Sequence, residues 1–223
     1  MNGNLWFDWL NYIRTAHSAE LFFALYLSTA FCARITEVLM LRAQDFDWDR
    51  EQVHFGAFKY GKSTDKPMVP SVKKQLLGVK RNGIVCPSKW VNCGARGWQL
   101  QDRTYRFPSS GFLFPSRNGA KEPHHNKDWV IHAICDLRDA FIEKYERRYP
   151  SLNGKKPRSH SGRRHAVTWM TTSGVETSVG MSFAVIRDGK VYNSYADIPP
   201  EMVRAALKAA DKASPLGRQT RKL

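Results

Sequence analysis

Several things are scarce in this 223-residue sequence, and each scarcity narrows what the chain can be. Acidic residues are few: 20 Asp and Glu stand against 35 Lys and Arg, a net charge of +15. That imbalance suits a polyanionic partner, nucleic acid before all others. An anionic membrane surface is the weaker alternative, because no basic amphipathic anchor is present. Long apolar runs are also missing. Residues 21–33 form an internal run too short to cross a bilayer, and nothing resembles a signal peptide. There is no P-loop, no acidic metal cluster, no internal repeat and no low-complexity block. Cysteines number four. Cys32 and Cys135 fall inside apolar patterns and are expected to be buried thiols. Cys86 and Cys93 have six residues between them, and even with His124 and His125 they fit no common zinc-ligand spacing. The expected setting is reducing and intracellular: cytoplasmic or nucleoid-associated, or nuclear in a eukaryote.

What is present argues for a folded chain. With 42% hydrophobic and 12% aromatic residues it can bury a core as one domain or one domain with a small appendage. Residues 4–16 read as a short amphipathic helix. Ser18 then opens a second helix with Leu21, Phe22, Leu25 and Tyr26 at helical spacing. Phe31-Cys32-Ala33-Arg34 breaks that pattern and residues 35–41 resume it. Arg34 therefore emerges from a junction between buried helices, where it needs a carboxylate or a functional anion; Glu37, one turn on, is placed to orient it. Residues 45–50 read as a turn, 52–58 as a strand, 59–66 as a lysine-rich hairpin loop and 67–69 as the return strand. Residues 79–110 look like an irregular surface insertion. Its Trp90, Trp98 and Tyr105, set among Lys89, Arg96 and Arg103, suit either local packing or stacking on bases. Residues 111–119 suggest a short strand and turn, and 126–145 a long helix with Trp129, Val130, Ile134, Leu137 and Phe141 inward.

The densest chemistry lies in residues 155–170. His160, His165 and five cations (Lys155, Lys156, Arg158, Arg163 and Arg164) crowd the first eleven positions, and a helical pattern follows to about Thr172. Ser159 or Ser161 is expected to cap that helix, whose first turn would seat an anion. His160 and Arg163, three apart, point one way and suit a phosphate that must be both held and protonated. Beyond this, Gly174, Gly180 and Gly189 interrupt the chain, a last helix is expected over 202–213, and a basic tail over 218–223.

Five stretches, in order, resemble the successive boxes of the catalytic domain of tyrosine site-specific recombinases, the phage-integrase family: CARITEVLMLRAQDFD, FKYGKSTDKPMVP, GFLFPSRNGA, SHSGRRHAVTWM and YNSYADIPPEM. The resemblance implies an α+β fold, mostly helical with a small antiparallel sheet. It also implies cleavage and rejoining of DNA strands through a 3′-phosphotyrosyl intermediate, with no cofactor or metal. On it, Arg34 and Arg163 match the two catalytic arginines and His160 the first histidine. Lys62 best matches the hairpin lysine that protonates the departing 5′ oxygen, with Lys59 competing. Tyr195, thirty-five residues after His160, matches the nucleophile, and Tyr192 is its alternative. Lys155, Lys156, Arg158 and Arg164 would line the double-stranded DNA. Three positions depart from the pattern. Ile186 stands where a histidine or tryptophan is usual, leaving Arg187 as a possible substitute; Cys32 replaces a frequent glycine, and Gly162 a frequent leucine. The family's N-terminal DNA-clamping domain is expected to be absent, so that the chain is a catalytic-domain fragment or a minimal form. The C-terminal stretch 199–213 would dock on a neighbouring protomer of a tetramer. A catalytically weakened or inactive DNA-binding relative, and a type IB topoisomerase-like relaxase, are the competing readings.

Overall fold

A computed structural model describes residues 3–57, 63–116, 122–148 and 156–195, with only the backbone of residues 3, 4, 91, 95 and 195. The chain divides into two compact units, Met1–Ala166 and Val167–Leu223.

The first unit is built on paired helices. In α1 (Gly3–Ala16), Leu5, Trp6, Trp9, Leu10 and Ile13 fall on one stripe and are buried. α2 (Ala19–Ala30) is apolar almost all round and accordingly buried along most of its length. Ser18 caps it, its hydroxyl oxygen accepting the Leu21 N–H at 3.0 Å. α5 (Lys127–Tyr145) closes over α1, with Phe141 edge-on to Trp9 at 4.8 Å between ring centres. Asn126 caps α5 by accepting from the N–H groups of Asp128 and Trp129. The inward line of α5 runs through Val130, Ala133, Ile134 and Phe141. Cys135 lies one residue, about 100°, off that line and is exposed, contrary to the buried thiol expected from its apolar neighbours.

The short α3 (Ile35–Leu39) leads to a three-stranded antiparallel sheet of β1 (Phe46–Asp47), β2 (Gln52–Phe55) and β3 (Thr64–Pro67), in that order. The strands are shorter than the sequence suggests: β2 stops at Phe55, and the return strand is Thr64–Pro67 rather than 67–69. Pro70 explains the shift, because it starts α4 (Pro70–Asn82) as a first-turn proline. The supposedly irregular insertion also has regular structure. Gly83, with φ of +72°, ends α4, and an antiparallel hairpin follows, β4 (Lys89–Asn92) and β5 (Trp98–Gln101). Tyr105 is buried against Phe23 and Phe114, so it packs locally and cannot stack on bases. Of the stretch 111–119, residues 117–119 lie outside the described residues; among the others Phe112 bridges to Arg42 and Pro115 to His124, in place of a strand.

α6 (Ser161–Thr172) runs from the first unit into the second. Within the second unit, α7 (Thr177–Ala184) ends at Val185, whose φ of +53° lets the Ile186 N–H return to the Met181 carbonyl at 2.9 Å. α8 (Gly189–Tyr195) packs on α7 through Tyr192 and Gly180, and a Cβ at position 180 would overlap the Tyr192 ring and hydroxyl. Gly180→Ala is therefore expected to destabilise the second unit by about 1–3 kcal/mol, read as lost amide-exchange protection across α7 and α8. Unchanged protection there would show that the two helices do not depend on this contact. Among the described residues, no helix is long and apolar enough to cross a membrane. The segments 199–213 and 218–223 lie outside the described residues.

Candidate active site

The site grows from the junction between α2 and α3. After α2 ends at Ala30 the chain must turn sharply, and Cys32 does so with φ of +47°, the left-handed region where a non-glycine residue is uncommon. Cys32 thus supplies the backbone conformation for which glycine is the usual residue. The turn leaves three successive carbonyls, those of Phe31, Cys32 and Ala33, outside any helix. Each accepts from a buried side chain. Lys66 Nζ donates to the Phe31 oxygen at 2.7 Å, Arg163 Nη1 to the Cys32 oxygen at 3.2 Å, and Ser28 Oγ to the Ala33 oxygen at 2.8 Å. Ser28, Lys66 and Arg163 are the three buried polar side chains among the described residues, exposed by 1–2%. All three are thus committed to one four-residue turn. An unmet buried carbonyl costs about 1–3 kcal/mol, which accounts for polar side chains in so apolar a place.

Arg34 follows directly and caps α3 in an extended conformation. The Glu37 carboxylate reaches back to it twice, accepting from the Arg34 N–H and from Nη1, each at 2.7 Å. This is half of a capping box, since an arginine side chain has no acceptor with which to return the bond. It fixes both the first turn of α3 and the direction of the guanidinium.

Arg163 arrives from the first turn of α6. The Cys32 thiol lies 3.8 Å from the Arg163 carbonyl oxygen, so Cys32 and Arg163 are joined in both directions. Gly162 permits the approach. A Cβ there would stand 2.7 Å from Thr29 Oγ1 and 3.2 Å from the Trp6 ring, the same Thr29 hydroxyl that accepts from Trp6 Nε1. A leucine at this position would push α6 off α2. Ser161 does not cap α6 as expected; its hydroxyl oxygen accepts the Arg158 N–H at 2.9 Å and closes the preceding turn.

The electrostatics tie these groups to His160. Burial lowers its pKa, the positive charges of Arg163 and then Arg34 lower it further, and Glu37 opposes them. The shift favours the neutral ring. Lys66 feels Cys32, Glu37, Arg163 and Arg34, and burial above all pulls it down to about 8. Burial pushes the Cys32 thiol up, against the pull of Arg163 and Lys66, which makes it an inert thiol.

The structure thus brings together three residues singled out in the sequence, Arg34, His160 and Arg163, with Glu37 as Arg34's orienting partner. It adds Ser28 and Lys66, which sequence reasoning passed over. Lys66 carries a weak signal, standing two residues before the apolar Met68, but the polar residues around it read as a hairpin loop. Lys156, Arg158 and Arg164 are exposed. Ile186 is buried, and Arg187 is exposed. Tyr192, the alternative to Tyr195, is buried, and its hydroxyl lacks a hydrogen-bond partner. Tyr195 is the last residue of α8. Lys59, Lys62 and Lys155 lie outside the described residues. No cluster of metal-ligating side chains occurs among the described residues. A separate cleft of about 720 Å³ is lined by His17, Glu20, Arg103, Tyr105, His125 and Trp129, and none of the residues above lines it. Burial raises Glu20 there to about 7, 3.8 Å from His125.

No family model and no curated protein matches the sequence. Solved structures do match the fold. XerA recombinase aligns over 94% of this chain and 62% of its own, with a TM-score of 0.61 at 11% identity. The Tn1549 transposon integrase, solved in complex with a circular intermediate DNA, aligns over 94% and 65%, with a TM-score of 0.56 at 13% identity. The fold is that of the tyrosine recombinases and integrases. This chain covers less than two thirds of the length of those two chains. Its α+β character, mostly helical with little antiparallel sheet, is the one the resemblance implies.

Proposed function

We propose that the chain binds double-stranded DNA and cuts and rejoins its strands through a 3′-phosphotyrosyl intermediate. The observation that carries this reading is the meeting of Arg34, Arg163 and His160, residues up to 129 positions apart, around one braced turn. Two guanidiniums and an imidazole suit a single phosphodiester. The arginines hold its non-bridging oxygens and gain strength as the pentacoordinate state accumulates charge. The Tyr195 oxygen attacks phosphorus as its proton leaves, with His160 assisting, and the bond to the 5′ oxygen breaks. Lys62, or Lys59 in its place, gives that oxygen a proton. The phosphotyrosyl bond keeps the energy of the broken one, so a 5′ hydroxyl reverses the attack without cofactor or metal. Lys156, Arg158 and Arg164, with Lys155, hold the flanking backbone, and copies of the chain assemble as a tetramer on DNA.

One observation favours a second reading. The Ile186 side chain has no hydrogen-bond donor where a histidine or tryptophan is usual, which suits a relative with weakened chemistry. Both are tested with nicked hairpin duplexes randomised across their centre, so that no prior target sequence is needed. The expected result is an adduct that survives detergent, carries DNA on the Tyr195 peptide by mass spectrometry and disappears in Tyr195→Phe. Binding without adduct between pH 6 and 9 would overturn the catalytic reading in favour of the weakened relative.

A further inference from the structure

The β4–β5 hairpin has no part in the site, yet it is built as a fixed arm with an unusual face. Its register sets Trp90 opposite Leu100 and Asn92 opposite Trp98. Side chains alternate along a strand, so Trp90, Asn92, Trp98 and Leu100 share one face. Trp90 is 60% exposed, Trp98 67% and Leu100 57%. Two tryptophans and a leucine side by side in water are costly to leave unused. The hairpin is also rooted. Arg14 Nη1 donates to the Val85 oxygen at 2.8 Å, the Cys86 thiol to the Arg14 oxygen at 2.6 Å, and Arg103 Nη1 to the oxygens of Thr15 and Pro87. Paired bonds between Ile84 and Tyr105 close the stem, with Tyr105 in the core. The arm therefore leaves the end of α1 in a set direction.

Charge selects its occupant. Residues 89–101 carry Lys89 and Arg96 and no acid, and exposed Arg81 and Arg106 flank the stem. The carboxylate of Asp102, next in sequence, accepts the Thr104 N–H. A second copy of a chain with a net charge of +15 would meet this face with like charge. A polyanion with flat apolar rings fits it on both counts.

We propose that the β4–β5 hairpin is an accessory DNA-binding arm that stacks Trp90 and Trp98 on opened or unpaired bases while Lys89 and Arg96 hold the adjoining phosphates. The arm rests on the reading of the chain as a DNA-binding protein but needs no catalysis.

The test uses the full chain and two fluorescent 40-base-pair duplexes of one sequence, fully paired or with a central six-nucleotide bubble. The unmodified protein is expected to prefer the bubble. Trp90→Ala/Trp98→Ala is expected to lose roughly ten-fold or more on the bubble, while its affinity for the paired duplex changes little. Lys89→Gln/Arg96→Gln is expected to weaken both and to flatten the salt dependence by about one to two logarithmic units per decade of salt. These side chains are exposed, so folding is not at stake, and thermal unfolding confirms it. A bubble preference untouched by the tryptophan changes overturns the arm. So does a tryptophan variant that alters sedimentation of the DNA-free protein instead, which would assign the face to a second copy. Adduct formation on nicked duplexes is scored in the same variants: its retention beside an intact bubble preference rejects the arm alone, whereas no affinity for any DNA rejects the underlying reading.

Discussion

Replacing Arg163 with lysine is expected to reduce covalent capture of nicked DNA by about a thousand-fold and to lower stability as well. Two separate losses add here. On the proposed function, a lysine keeps the charge but gives up the planar fork suited to a phosphate, and removing a single preorganised donor from a developing oxyanion costs about 10²–10³ in rate. Arg163 Nη1 also satisfies the Cys32 carbonyl, and the Arg163 backbone oxygen faces the Cys32 thiol. A shorter, differently directed ammonium abandons that carbonyl at about 1–3 kcal/mol. Capture assays on a saturating nicked duplex, paired with thermal unfolding, separate the two. Full capture with normal stability would show that α6 does not seat the phosphate and that the α2–α3 turn holds without it.

Lys66→Met is expected to separate stability from activity. The Lys66 ammonium is buried with a pKa near 8, against about 10.5 when exposed. Below pH 8 both folded and unfolded chains hold the proton, so the full cost of burying the charge is present. Between pH 8 and about 10.5 the folded form sheds the proton while the unfolded form keeps it, and stability attributable to this group rises with pH. Methionine removes the charge with similar volume but leaves the Phe31 carbonyl without its donor. The two effects oppose each other at pH 7, so the variant should lie within about 1 kcal/mol of the parent there. By pH 9.5 the parent should have gained about 1–2 kcal/mol relative to the variant. Capture of nicked DNA should nonetheless fall at least about ten-fold at pH 7, because the turn that presents Arg34 loses one of its three braces. Lys66→Arg, which keeps a donor, should recover part of it. Equal capture and parallel pH–stability curves would reduce Lys66 to filler.

How far the sequence went can be judged on particular residues. That Arg34, His160 and Arg163 lie together was legible through the resemblance of the ordered boxes that carry them, and the placing of Glu37 because one helical turn separates it from Arg34. The helices α1, α2 and α5 were legible from their apolar spacing and from Ser18 and Asn126 at their starts. Lys66 was not, because a lysine in a polar hairpin reads as solvent-facing until the strand register turns it inward against Phe31. The β4–β5 hairpin was hidden for a related reason: its face is apolar but exposed, so alternation carried no contrast between core and water. Cys135 misled through neighbours that point the other way. Ser161 misled because a hydroxyl at a helix start can serve the turn behind it as well as the helix ahead.

The buried thiol of Cys32 carries a practical consequence. Its sulfur touches the Arg163 backbone and is sealed from solvent, while Cys135 lies open on α5. An alkylating reagent will modify Cys135 at once but must wait for the α2–α3 turn and α6 to part before it meets Cys32. The ratio of the two labelling rates is thus a clock, native to the chain, for how often the arginine pair comes apart. Anything that seats an anion between those arginines should slow it.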